Sequence, residues 1–384
     1  MKIVFIIIVF LVLPLIALAL SCLIGWIIAI IASKLRNTNI ITMILSVAFL
    51  GAYFYVYSRI QTYIVELVAN GEAIGAAVKK GLFPIYHMGI AITEGNFVSL
   101  LIFVVCAIIP FVITYALISR SFIRIATTKR GAIKVVYKER ALKVSSTQKA
   151  LINKELHRFV SSTGYMMNAG IGIIFIVAMA VAIIVKKDAI IEVLGMSPEL
   201  KGFIGPIACI ALCGTASTVF ISAPSISLEG KNLWILKSLP IDAGDILLAK
   251  AELHMLITLP PIILTATVFN LALSLTPISR VMVYVLPVAV TAFCALFGVA
   301  INLRFPKFDW VNETVAVKQG ISSLIAMFGG MAVVALPAVL YISVLQDMLQ
   351  ADTYMIICTV VLVAICFALY KHLKTGGKRI FEAL

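Results

Sequence analysis

The stretch Ile3-Val-Phe-Ile-Ile-Ile-Val-Phe-Leu-Val-Leu-Pro14-Leu-Ile-Ala-Leu-Ala-Leu-Ser-Cys22-Leu-Ile-Gly-Trp26-Ile-Ile-Ala-Ile-Ile-Ala-Ser33 contains no charged residue. A helix that crosses the hydrocarbon core of a bilayer needs about 20 apolar residues. This run exceeds one crossing, so it predicts a helix that is tilted, kinked at Pro14 or extended past the membrane. Its Met1-Lys2 start imitates a secretory signal, but a signal's apolar region is only about 7–15 residues long and gives way to polar sequence. Here the apolar run continues past Cys22. Comparable runs recur at 40–58, 97–119, 166–185, 203–223, 253–275, 281–303, 321–345 and 354–370. The expected fold is an all-α polytopic membrane protein with about nine transmembrane helices.

Composition agrees with that reading. The chain of 384 residues is 62% hydrophobic and 12% charged, with mean hydropathy +1.12. Soluble domains are roughly 45–50% apolar and about 25% charged, which excludes an ordinary soluble enzyme. The net charge of +14 would suggest nucleic acid in a soluble protein. When the nine runs alternate across a membrane, however, 23 of the 31 Lys and Arg fall on one side, eleven of them between Arg120 and Arg158. The positive-inside rule makes that side cytoplasmic, with the C-terminus inside and the N-terminus outside. Topology thus accounts for the basic excess without nucleic acid as a partner. An external N-terminus with no cleavable signal is awkward to insert, so an upstream half, or a second copy of the chain, is expected to complete the assembly.

The seven cysteines all lie within apolar runs and form no C-x-x-C pair. That argues against a disulfide framework and against structural zinc, and Cys209 and Cys213 read as packing residues. No phosphate-loop motif is present, because Gly230-Lys231 precedes Asn232 and Gly377-Lys378 precedes Arg379. Catalytic residues and a metal site are not expected. The spans carry no Asp or Glu beyond their end turns, whereas ion-coupled transporters place protonatable groups near the midplane.

Three polar segments remain. In the stretch 120–165, Ser145-Ser-Thr-Gln148 fits a capping box. Ile152, Leu156, Phe159 and Val160 then share one helix face, with Lys149, Asn153, Lys154, His157 and Arg158 opposite. A helix at the membrane interface fits this pattern, as does a solvated linker helix. The loop Ser222-Ala-Pro-Ser-Ile-Ser-Leu-Glu-Gly-Lys-Asn-Leu-Trp-Ile-Leu-Lys-Ser-Leu-Pro240 sets Trp234 and leucines between Lys231 and Lys237. It suits a protein-docking surface and an interfacial anchor equally. The loop Asn302-Leu-Arg-Phe-Pro-Lys-Phe-Asp-Trp-Val-Asn-Glu-Thr-Val-Ala-Val-Lys-Gln-Gly320 mixes three aromatics with charges, as local ion pairs and an aromatic anchor would require.

Those two loops, together with Asn153-Lys-Glu-Leu-His-Arg-Phe159, resemble the ABC transporter permease subunits of Firmicutes, members of the type-2 exporter superfamily. The resemblance implies a six-helix unit in 166–384, with a coupling loop at 224–252. It makes 120–165 a linker with an elbow helix and 1–119 three helices of a first unit. It further implies ATPase docking through Ser227, Leu228, Glu229, Gly230, Lys231, Trp234 and Lys237. The second cytoplasmic loop would contribute Arg304, Phe308, Asp309, Trp310, Glu313 and Lys318, and the elbow Lys154, Glu155 and Arg158. The chain would hold no cofactor and perform no catalysis; a partner ABC ATPase would bind ATP and Mg. The expected setting is the lipid bilayer of the bacterial cytoplasmic membrane, and the expected function is ATP-driven export. A secondary transporter or channel without an ATPase is the alternative.

Overall fold

The computed structural model describes residues 2–34, 38–69, 81, 83–127, 145–195 and 203–384. The middle of the linker, 128–144, lies outside the described residues, as do 70–80 and 82 of the loop between the second and third apolar runs. Among the described residues every regular element is helical. The chain divides into two compact units, 1–140 and 141–384.

The first unit comprises α1 (Lys2–Lys34), α2 (Thr38–Ala69), α3 (Phe83–Glu94) and α4 (Phe97–Thr127). α1 has 33 residues and continues through Pro14. At about 1.5 Å per residue it is about 50 Å long, so it extends past a hydrocarbon core of about 30 Å. Phe5, Val9, Val12 and Ile16 repeat at helical spacing and pack against Ala91 of α3 and Leu100 and Phe103 of α4. Lys2 Nζ donates to Thr93 O at 2.6 Å, and Trp26 Nε1 donates to Ser121 Oγ at 2.6 Å. The sequence reading treats 59–96 as a polar loop. The structure instead carries α2 on to Ala69 and forms α3, whose Met88 and Ile92 face the apolar cluster.

The second unit begins with α5 (Thr147–Ser161), α6 (Thr163–Ala169) and α7 (Ile171–Gly195). The cap of α5 is Ser146, one residue beyond the expected capping-box serine, and Gln148 Nε2 donates instead to Glu252 Oε2 at 2.7 Å. The buried side of α5 is Leu151, Glu155 and Phe159, while Val160 is exposed. The inward stripe is therefore rotated from the purely apolar face that periodicity suggests, because one carboxylate has partners inside. α6 and α7 form one bent span, with 56° between its limbs.

After α8 (Ile204–Ser217) come a 3₁₀ turn (Ser227–Asn232), α9 (Leu233–Ser238), α10 (Ala243–Ala272), α11 (Pro277–Arg304) and α12 (Glu313–Lys318). α13 (Ile321–Leu340) continues into a π turn at Tyr341–Leu345, and α14 (Ala351–His372) into another at Leu373–Gly377, before the terminal α15 (Lys378–Ala383). α11 is the pillar of this unit: 56% of its apolar window is buried, against 17–28% for α10, α13 and α14.

Among the described residues seven helices are long and apolar enough to span, and the bent pair, taken as one span, makes eight. The fifth of the nine expected runs, 203–223, is helical only over the 14 residues of α8, about 21 Å. Beyond Ser217 the chain proceeds as irregular backbone buried within the unit. Such backbone must find partners inside the protein. Phe220 N donates to Ala169 O at 3.1 Å, and Tyr165 Oη donates to Ile221 O at 2.5 Å. Gly298 of α11 makes room for the segment, since a Cβ there would stand 2.3 Å from Ser222 Oγ.

This arrangement fixes which segments share a side. In a cysteine-free background, Ser146→Cys and Ser238→Cys are expected to react with an impermeant maleimide only from the cytoplasm, and Asp347→Cys only from outside. Labelling of Ser146→Cys and Asp347→Cys from the same side would overturn the charge-based orientation.

Candidate functional site

The turn that leads into α9 is built from short-range bonds. Leu228 N donates to Pro224 O at 2.9 Å and Glu229 N to Ile226 O at 3.0 Å. Gly230 then adopts φ +53°, a conformation that side chains with a Cβ rarely take. The indole of Trp310 covers it so closely that a Cβ at Gly230 would lie 3.0 Å from Trp310 Cζ2.

Two side chains lock this turn from the neighbouring loop. Asn302, wholly buried at the end of α11, accepts from Ile226 N at 2.7 Å and Ser227 N at 3.0 Å through Oδ1. Its Nδ2 donates to Ser227 Oγ at 2.7 Å and Ser322 Oγ at 2.9 Å. Lys307 N also donates to Ser227 Oγ at 2.9 Å, and Trp310 Nε1 donates to Ser227 O at 2.7 Å. The second loop thereby fastens the first.

The turn delivers Glu229 into a buried ion cluster. Lys250 of α10 is 1% exposed. Its Nζ lies 2.8 Å from Glu155 Oε1, 2.7 Å from Glu229 Oε1 and 3.1 Å from Ser225 O. Lys154 Nζ adds contacts of 2.6 Å to Glu229 Oε1 and 3.1 Å to Glu155 Oε1. Arg158 Nη1 stands 2.8 Å from Glu229 Oε1 but out of hydrogen-bond alignment, so this buried nitrogen has no hydrogen-bond partner. Three cations thus surround two carboxylates. Burial alone would raise the pKa of Glu229, but Lys250, Arg158 and Lys154 outweigh it and hold the carboxyl well below the usual carboxylate range. The sign follows: this ionised form stabilises the fold above the unfolded-state value of about 4.3. That stabilisation is lost only as the pH falls through the lower folded-state value.

An apolar floor supports the cluster. Leu151, Ile226, Leu233, Leu236, Leu247 and Leu303 pack together beside it, and Leu373 and Phe381 of the C-terminal segment join them. Asp242 caps α10 by accepting from Gly244 N at 2.7 Å and pairs with Lys378.

The expected docking residues fall into two groups. Ser227, Leu228, Glu229 and Gly230 are buried, and Ser227 and Glu229 are engaged by hydrogen bonds and ion pairs inside the chain. Lys231, Trp234 and Lys237 are exposed, Trp234 by 66%. In the second loop Arg304, Asp309 and Lys318 are exposed, while Phe308, Trp310 and Glu313 are half-buried. Of the elbow residues, Lys154 and Arg158 meet Glu229 directly, and Glu155 joins it through the shared ammonium groups of Lys154 and Lys250. His254 of α10 is wholly buried, with Nδ1 3.2 Å from Ser222 Oγ. Lys250 and Asn302 escaped the sequence reading. Their signal was slight: a lone lysine between Ala249 and Ala251, and an asparagine between Ile301 and Leu303.

Removing one partner of a buried ion pair costs about 3–5 kcal/mol. Glu229→Gln leaves three cations on one carboxylate and is expected to lower stability by about that much. Lys250→Met leaves two cations and two carboxylates and should cost less. Combining the two should cost less than their sum, as read by thermal unfolding in detergent. Gly230→Ala should cost about 1–3 kcal/mol through its backbone conformation.

A comparison with curated proteins and one with solved structures each find no match. Residues 1–372 match the model of a family described as a membrane protein of 12 TMs. The match covers nearly the whole chain, spanning both compact units, the bent span and the ion-braced turn, and it agrees with the density of apolar helices found in each. The chain therefore belongs to this family of multi-span membrane proteins.

Proposed function

We propose that the chain is the membrane permease subunit of an ATP-driven exporter, and that a separate ABC ATPase, which holds ATP and Mg, docks on α9. The observation that carries this reading is the two-sided character of that short helix. Leu233 and Leu236 anchor it in the apolar floor, while Trp234 and Ile235 are exposed between Lys231 and Lys237, with Leu239 exposed just beyond. An exposed aromatic with flanking cations on a rigid base is the composition of an interface hot spot. The resemblance of both loops to ABC permeases supports the same reading, as does the lack of a phosphate-loop motif in this sequence.

Transport would then depend on transmission. A closing ATPase pushes on α9, and the turn carries the load through Glu229 to Lys250 on α10 and to Glu155 on α5. The helical spans respond by switching access from one side of the membrane to the other.

Trp234→Ala is expected to weaken ATPase association about thirtyfold, the effect of losing a hot-spot aromatic of about 2 kcal/mol, without lowering the yield of folded chain. Glu229→Gln should instead reduce the folded yield. Copurification of Mg-dependent ATPase activity with tagged chain from native membranes reads the first effect, and size-exclusion chromatography the second. Wild-type chain that brings down no ATPase would overturn the proposal.

A further inference from the structure

The ion cluster is one negative charge short, and its surplus lies toward solvent. Lys250 is enclosed, but the Lys154 side chain is 37% exposed and that of Arg158 20%. Arg158 turns Nη1 inward to Glu229 at 2.8 Å, which leaves the exposed part of its side chain on the outer side of the cluster. Both lie on α5 shortly before Ser162, the cap of the first limb of the bent span, and the apolar Val160 is exposed close by. A helix that leads directly into a span places its last residues at headgroup level, where cations meet phosphate and apolar side chains meet acyl chain. A guanidinium fork beside an ammonium suits two oxygens of one phosphate. We propose that Lys154 and Arg158 bind the phosphate of an anionic phospholipid in the cytoplasmic leaflet, which supplies the negative charge that the cluster lacks. The inference stands independently of ATPase docking.

The test reconstitutes the full chain in nanodiscs of phosphatidylcholine with a minor fraction of phosphatidylglycerol. Retained lipid is measured by native mass spectrometry after release into detergent. Wild type should retain phosphatidylglycerol above its bulk fraction. Lys154→Gln and Arg158→Gln should each weaken retention about fivefold, and together about thirtyfold, the effect expected for basic residues at a charged membrane surface. Lys154→Gln leaves two cations facing two carboxylates, so its fold is kept even if Arg158→Gln misfolds, and Lys154→Arg should restore binding. Lys149→Gln, exposed at the start of the same helix, should change nothing. Equal retention by wild type and Lys154→Gln would overturn the proposal. Displacement of the lipid by millimolar inorganic phosphate would overturn the lipid as the source. Unchanged lipid retention with loss of a captured acidic protein would assign the surplus charge to a protein partner instead.

Discussion

The ammonium of Lys250 is the constraint on which the α9 end of the second unit depends. Taking a lysine out of water costs several kcal/mol unless its three donors are met. Here they are met by Glu155, Glu229 and Ser225, that is, by the elbow helix and by the turn before α9. Three segments distant in sequence are therefore held at one atom. Separating any of them from α10 would leave a buried charge uncompensated. The elbow, the turn and the α9 end of α10 consequently behave as one piece.

The same accounting explains why a span can fail to be a helix. Beyond Ser217 the backbone leaves the helical ladder while still buried, and each exposed N–H and C=O then needs a partner from another element. Ala169, Tyr165 and Asn302 meet that demand, and Ser225 Oγ donates to Ser222 O. Asn302 has the most effect, because its amide serves both strands of the contact: it accepts two backbone N–H groups and donates to two hydroxyls. The irregular segment is thus as well determined as a helix, by side chains that no periodicity announces.

Hydropathy made the helical class and most of the spans legible, because the bilayer imposes a length and an apolarity that each run must meet separately. Capping chemistry and amphipathic spacing located α5 within a residue. What could not be read was anything that depends on a partner distant in sequence. Glu155 sits at a position that periodicity assigns near the boundary of the apolar face, yet it turns inward because Lys250 awaits it ninety-five residues away. Ser227 to Gly230 look like an exposed polar turn, yet they are buried because Asn302 and Trp310 cover them. The break after Ser217 was hidden for the opposite reason: Val219 to Ala223 are as apolar as a span.

A stiff base also determines where such a membrane unit can bend. α10 carries Pro260 and Pro261 in its interior, well beyond the braced segment that holds Lys250. Proline removes a ladder hydrogen bond and crowds the preceding turn, so a helix yields at such a point before it yields elsewhere. α13 has its own weak point, where Pro337 leads into the π turn at Tyr341–Leu345, and the α6–α7 span has one at its 56° bend. The end around α9 is cross-linked by charge and amide, whereas the spans contain breaks deeper along their length. A displacement applied at α9 is therefore not absorbed where it enters. The prolines and bends farther along the spans are the points at which the helices of this unit yield most readily.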